Sequence, residues 1–231
     1  MNIKELWKDL KTIIRPSSVG NVKSLPMSDN TNKIVLSILM PTIPQRKFQF
    51  ERLFKNVKTQ IDYCYVAHPT LGTCQIIYDN GASFRQGGLS IGNKRQSLLD
   101  QAKGLYICFL DDDEAVSPDY VETLLRLVYL DKDVCVFRSL AKLSNNWALV
   151  DMSLKNNNKQ INPDSITKRT PWHICPVRIG FAQQYKFSDS NYGEDFGWFS
   201  MVLKHCRSEA HTDRIIHQYN HGAHSEADKI K

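Results

Sequence analysis

No apolar run in this 231-residue chain is long enough to cross a membrane. The longest lies near Ile34–Met40 and is interrupted by Ser37, far short of the roughly 20 residues a span needs. A secretory leader is also missing, because the opening MNIKELWKDLKTIIR carries charge throughout and has no apolar centre. The six cysteines, at positions 64, 74, 108, 135, 175 and 206, never show C-x-x-C spacing, and Cys108 and Cys135 sit inside apolar runs. This excludes a zinc ribbon and predicts reduced thiols in a cytoplasmic protein, host cytoplasm if the source is viral. There is no G-x-x-x-x-G-K-[ST] phosphate loop and no internal repeat.

What charge there is lies unevenly. The net charge is +6, yet residues 1–60 hold 11 Lys and Arg against 4 Asp and Glu, while the rest holds 19 against 20. The basic end suits an anionic partner such as nucleic acid or a membrane surface, or simply a solvated helix face.

Ile3, Leu6, Trp7, Leu10, Ile13 and Ile14 repeat at the helical period, and Pro16-Ser17-Ser18 stops them. The reading is an N-terminal helical extension and linker over 1–32, followed by one domain over 33–231. That domain divides into two halves, 33–130 and 131–231. IVLSILM reads as a buried first strand closed by Pro41, residues 46–60 as a helix, and Gln75–Tyr78 as a second strand ending in the turn Asp79-Asn80-Gly81. Asn93–Lys103 reads as a helix capped by Gly104, and LYICFL as a third strand. Ser117-Pro118 opens another helix, with Ser as cap. Strands alternating with helices predict an α/β fold, Rossmann-like, with a mostly parallel sheet and ligands beyond the strands' carboxyl ends. Asp79 and the run Asp111-Asp112-Asp113 fall at those ends.

Three adjacent carboxylates repel one another unless a cation or donors neutralise them, and hard divalent ions join such oxygens to phosphates. A calcium EF-hand is excluded, since Ala115 and Val116 stand where the loop needs an oxygen ligand and a glycine. Upstream, Gly87, Gly88 and Gly92 permit close backbone approach, and Lys94 and Arg95 can meet phosphate charge. In Tyr192-Gly193-Glu194-Asp195-Phe196-Gly197-Trp198, two acids are flanked by aromatics, and burial there is expected to raise a carboxylate pKa into the range of a base. His211, His217, His221 and His224 offer imidazole ligands near the end.

LSILMPTIPQR, IIYDNG, GNKRQSLLDQAKGLYICFLDDDE and GEDFGW, in that order over about 34–205, resemble family 2-like inverting glycosyltransferases of the GT-A fold. The resemblance implies a UDP-sugar donor and Mn²⁺ or Mg²⁺, with 33–130 as the nucleotide-sugar half and 131–231 as the acceptor half. It implies that Pro41, Thr42 and Arg46 line the nucleotide pocket, that Asp79 reads uracil, and that Lys94 and Arg95 lie near the nucleotide. Asp111 and Asp113 match the D-x-D pair on the metal, with Asp112 between them at the same diphosphate site. Asp195 matches the catalytic base, and Glu194 a residue positioning the acceptor hydroxyl. A C-terminal histidine completes the metal shell, with His217 first and His221 and His224 in reserve. HICPVR ahead of GEDFGW is similar to glycosyltransferase-like proteins of large bacteriophages, some of which modify hydroxymethylated DNA bases. The acceptor is therefore expected to be a saccharide or such a base, with Lys4, Lys8, Lys11, Arg15 and Lys23 then touching phosphates. The rivals are a sugar nucleotidyltransferase and a non-catalytic glycan- or nucleic-acid-binding domain. MPTIPQR in place of a glycine-rich basic loop argues against the first, and intact Asp111, Asp113 and Asp195 against the second.

Overall fold

A computed structural model describes residues 33–221. The N-terminal helix and linker, the five basic residues expected on DNA phosphates, and His224 lie outside the described residues.

The first strand, β1 (Ile34–Pro41), is followed by a 3₁₀ turn at Pro44–Arg46 and helix α1 (Lys47–Ala67). Then come β2 (Thr73–Asp79), α2 (Ile91–Asp100), β3 (Tyr106–Phe109), the short β4 (Ala115–Val116) and α3 (Tyr120–Tyr129). The second half holds β5 (Val134–Leu143), β6 (Asn146–Met152), β7 (Ile166–Arg169), β8 (Val177–Arg178), α4 (Ile179–Ala182), α5 (Glu194–Leu203) and the long β9 (Glu209–His221).

The main path through the sheet runs β2-β1-β3-β8-β5-β6-β7. β1 pairs in parallel with both β2 and β3, so the carboxyl ends of all three open on one edge. β8 and β6 run antiparallel to β5, whereas β9 runs parallel to it along its length. Right-handed crossovers to opposite neighbours of β1 put α1 and α2 on opposite faces of the sheet. Covered on both faces, the central strands can be apolar at nearly every position. Leu36, Ile38, Leu39, Ile107, Cys108 and Phe109 are accordingly buried.

Ser37, the one polar residue in β1, is also buried, and it is fully used. Its hydroxyl donates to Gln75 Oε1 at 3.1 Å and accepts from the backbone of Gly104 at 2.9 Å. That contact corrects the expected role of Gly104. α2 ends at Asp100 and Gln101 caps it, while Gly104 lets the chain press on β1. α3 starts at Tyr120, later than Ser117-Pro118 suggested, because Asp119 intervenes: it takes the Ser117 hydroxyl at 2.7 Å, and its carbonyl takes the Thr123 N–H at 2.9 Å. α1 continues to Ala67, beyond the expected end at 60. All six cysteines are free, and among the described residues no helix is long and apolar enough to cross a membrane.

A side chain at position 104 would place its Cβ 2.6 Å from Ser37 N and 2.7 Å from Leu36 C. Both are backbone atoms of the central strand and cannot yield cheaply. Gly104→Ala is expected to cost about 1–3 kcal/mol. Urea unfolding of the two proteins measures this, and equal midpoints at equal slope would contradict it.

Candidate active site at the carboxyl edge of the sheet

Leu110 N–H donates to Leu39 O at 2.9 Å, so β3 follows β1 up to the residue where the three aspartates begin. The middle one turns inward. Asp112 takes the Thr42 hydroxyl at 2.6 Å and Arg46 Nη1 at 2.8 Å, and is buried. Burial pushes its carboxyl up, while Arg46 and Thr42 pull the other way. Burial likewise opposes the charge on Arg46, and Asp112 with Asp113 and Asp111 more than restores it. Thr42 and Arg46, expected in the nucleotide pocket, are thus spent on the aspartate turn. Arg46 Nη1 also donates to Asp113 Oδ2 at 3.4 Å.

Behind the turn lies Arg95, on α2 and 4% exposed. Its Nη2 donates to both oxygens of Asp111, at 2.9 and 3.1 Å, and its Nε to Glu194 at 3.1 Å. The guanidinium rests 5.0 Å from the Phe109 ring. Burial alone would weaken the cation, but Asp111, Asp195 and Glu194 hold it charged. Arg95 was expected beside the nucleotide and Glu194 beside the acceptor. Both are buried and hold each other, because α5 begins at Glu194 directly against α2.

His173 was not singled out as a site residue. Phe109 N–H donates to its carbonyl at 2.9 Å, so the segment leading into β8 runs beside β3 and carries the ring to the aspartates. Its Nδ1 stands 2.9 Å from Asp195 Oδ2 and its Nε2 3.8 Å from Asp111 Oδ2. The only sequence signal was its place at the head of HICPVR. Burial disfavours the imidazolium, but Asp195 and Asp111 overcome this and lift the pKa from 6.5 to about 9. For Asp195 the expected upward shift does not occur. Burial does push that way, but the His173 imidazolium and Arg95 hold the carboxyl well below its usual range.

Lys94 is likewise buried. It donates to Thr42 O at 3.0 Å and to the Gly81 carbonyl, and lies 3.7 Å from Asp79 Oδ1. Burial lowers its pKa, with Asp79 opposing. Asp79 in turn accepts the Gly81 N–H at 2.7 Å, and Pro41 is its register partner. The glycine loop serves the chain's own backbone: a Cβ at Gly92 would stand 1.9 Å from Ser188 O.

β9 passes the turn's far side. His217, the first choice for a metal ligand, is buried, with Nδ1 2.7 Å from Ser139 Oγ and Nε2 2.9 Å from Glu114 Oε2. Glu114 Oε2 also accepts the Asp111 N–H at 3.0 Å. Farther along, the Asn220 amide donates to the Asp113 carbonyl, so the strand's end, where His221 stands, reaches the turn. A separate group, Asp151, His211 and Asp213, could present ligand atoms to an ion. Arg138 already neutralises it, at 3.2 Å from Asp151 and 2.6 Å from Asp213.

In metal-free protein the His173 ring is expected to titrate near pH 9. Since that native value lies above 6.5, the stabilisation it lends is complete below about 6.5 and lost as pH rises through about 9. Asp195, shifted the other way, loses its contribution only as pH falls through and below the carboxylate range. A ¹⁵N-histidine NMR titration measures the ring directly, and a midpoint near 6.5 would refute the pairing.

Residues 83–192 match the model for glycosyl transferase family 2. No curated protein matches the chain. Among solved structures, S. aureus TarS 1-349 superposes with TM-score 0.54 at 13% identity, over 81% of this chain and 60% of that one. TarS 1-349 in complex with UDP-GlcNAc gives 0.55 at 11% identity, covering 81% and 58%. Full-length TarS gives 0.54 at 12%, covering 81% and 37%, so the chain spans less than two thirds of each of these proteins. Over residues 83–192 the chain therefore resembles glycosyl transferase family 2, and its α/β fold is similar to that of S. aureus TarS.

Proposed function

We propose that the protein moves a sugar from a UDP-sugar to an acceptor hydroxyl, with inversion, using Mn²⁺ or Mg²⁺. The observation that carries this reading is the junction of two distant motifs. Asp195, from GEDFGW, and Asp111, from the aspartate run, share the cations Arg95 and His173, at 2.9 Å from His173 to Asp195 and 2.9 Å from Arg95 to Asp111. A leaving-group site and a proton acceptor side by side are what a single displacement requires. The UDP and UDP-GlcNAc complexes of S. aureus TarS support the choice of donor.

Asp111 and Asp113 bring two sets of carboxylate oxygens to one turn, a donor set that fits a hard divalent ion. When bound, the ion supplies Lewis-acid neutralisation of the diphosphate's charge. Asp112, locked by Thr42 and Arg46, holds the turn that presents them. His217 acts on this turn through Glu114, and the histidine role in the ion's shell passes to His221, at the end of β9, or to His224. Asp79 and Pro41, at the ends of β2 and β1, face the uridine. Lys94 keeps those two strand ends and Thr42 together.

Asp195 is half-buried and ionised, and takes the proton of the acceptor hydroxyl as that oxygen attacks. Its low basicity suits a late transfer, when the attacking oxygen has become strongly acidic. His173 fixes the carboxylate's orientation, and Arg95 with Glu194 fixes the helix that carries it. The acceptor hydroxyl belongs to a saccharide or to a hydroxymethylated base. A nucleotidyltransferase or a non-catalytic domain is separated from this reading by incubation with UDP-glucose or UDP-GlcNAc and Mn²⁺, where release of UDP supports transfer chemistry.

Asp195→Asn is expected to retain UDP binding and lose transfer by on the order of 10²–10⁴. Near wild-type turnover would place the base elsewhere. Asp113→Ala is expected to abolish the metal-dependent part of UDP affinity, read by calorimetry with and without Mn²⁺. Unchanged affinity with Mn²⁺ would remove Asp113 from the ion.

A further inference from the structure

Among the described residues, the other buried or half-buried arginines each hold a carboxylate: Arg46, Arg95, Arg126, Arg138, Arg178 and Arg214. Arg169, at the end of β7, holds none. Its guanidinium carbon sits over the Trp172 ring, 4.1 Å from the centroid. Nη2 donates to the neutral Asn158 Oδ1 at 3.2 Å, and Nε is buried without a partner. A guanidinium is a planar fork, from which a carboxylate or phosphate accepts two N–H groups side by side. Burial lowers its pKa, with Asp195 among the groups that oppose this.

The position matters as much as the missing partner. Trp172 precedes His173, whose Nδ1 holds Asp195 at 2.9 Å. Its ring meets Tyr219 at 6.2 Å between centroids. Burial raises the Tyr219 hydroxyl to about 12, and the nearby carboxylates of Glu114, Asp111, Asp113 and Asp195 add to the shift. Tyr219, Trp172 and Arg169 thus form a wall leading from the acidic centre to an unpaired cation, on the acceptor half of the fold.

We infer that this wall binds the acceptor, and that the acceptor is an anionic saccharide: Arg169 takes its phosphate or carboxylate while Asp195 faces its reacting hydroxyl. The inference rests on the transferase reading above and adds the acceptor's chemical class.

The test compares matched probes, glycerol with glycerol 1-phosphate and glucose with glucuronate, as stimulants of UDP release from a UDP-sugar with Mn²⁺. The readout is the ratio, within one protein, of the apparent acceptor constants for the neutral and anionic members. In the wild type at least one anionic probe is expected to be better by roughly tenfold or more. The phosphate and carboxylate arms tell which anion is meant. Arg169→Gln is expected to bring the ratio to about one. Arg169→Lys, which keeps charge but not the planar fork, should fall between them and decides the matter if the glutamine variant does not fold. Equal use of neutral and anionic probes by the wild type, or a preference that survives both substitutions, overturns the inference. No UDP release with any probe overturns the transferase reading instead. The anion site is then decided by tryptophan emission at saturating UDP and Mn²⁺. A saturable change with glycerol 1-phosphate, absent with glycerol and in Arg169→Gln, supports the site, and no change refutes it.

Discussion

A guanidinium sunk among Phe109 and its neighbours is tolerable only if carboxylates surround it, and Arg95 has Asp111 on one side and Glu194 on the other. The first belongs to the strand that ends at the donor edge, the second to the first turn of α5. One buried cation therefore sets the distance between the two halves of the site. Removing a single member of such a group leaves its partners charged and dry, which typically costs about 3–5 kcal/mol. Glu194 and Asp195 are adjacent yet divided in role: one points into the core and anchors, the other stays half-exposed and is held by His173.

A second buried cation organises the donor edge. Lys94 gathers the carbonyls of Thr42 and Gly81 beside Asp79, joining the ends of β1 and β2. Lys94 and Arg95 are neighbours on α2, and their heads reach different strand ends. α2 thus acts as a charged wedge under the carboxyl edge, and the residues it supports need no ligand to hold their places.

Much of this was legible in the sequence. The apolar run at Ile34–Met40, the strand running into Asp111 and the glutamate–aspartate pair before Trp198 gave the order of elements and the motifs that meet at the site. What stayed hidden were the partners. Lys94, Arg95, Thr42 and Arg46 resemble ligand-binding residues by type, and only the fold reveals that they are buried against the protein's own carboxylates and carbonyls. His173 carried no spacing signal, since a carbonyl bonded to Phe109 brings it to Asp111, and Asp195 lies 22 residues away in the chain. For the same reason the pKa of Asp195 was expected to rise: burial was legible, its imidazolium partner was not. His217 was chosen by position from the C-terminus, which says nothing of Ser139 and Glu114 on either side of its ring.

The start of α2 is bonded to the stretch before α5 at three points. Ser90 Oγ meets Asp189 at 2.6 Å, Ile91 N–H meets Asn191 Oδ1 at 3.1 Å, and Gly92 N–H meets Ser190 O at 3.0 Å. This seam fixes the length of the chain on both sides. An added residue in 188–191 would break the register of three contacts and shift the helix that carries Arg95. The connection between β6 and β7 is tied at its start, where Ser153 Oγ and Leu154 N–H hold Glu209 at 2.8 and 2.6 Å, and is largely exposed from 157 to 164. Where this architecture must accommodate a different acceptor, it can lengthen or reshape the chain there while the seam stays at its present length.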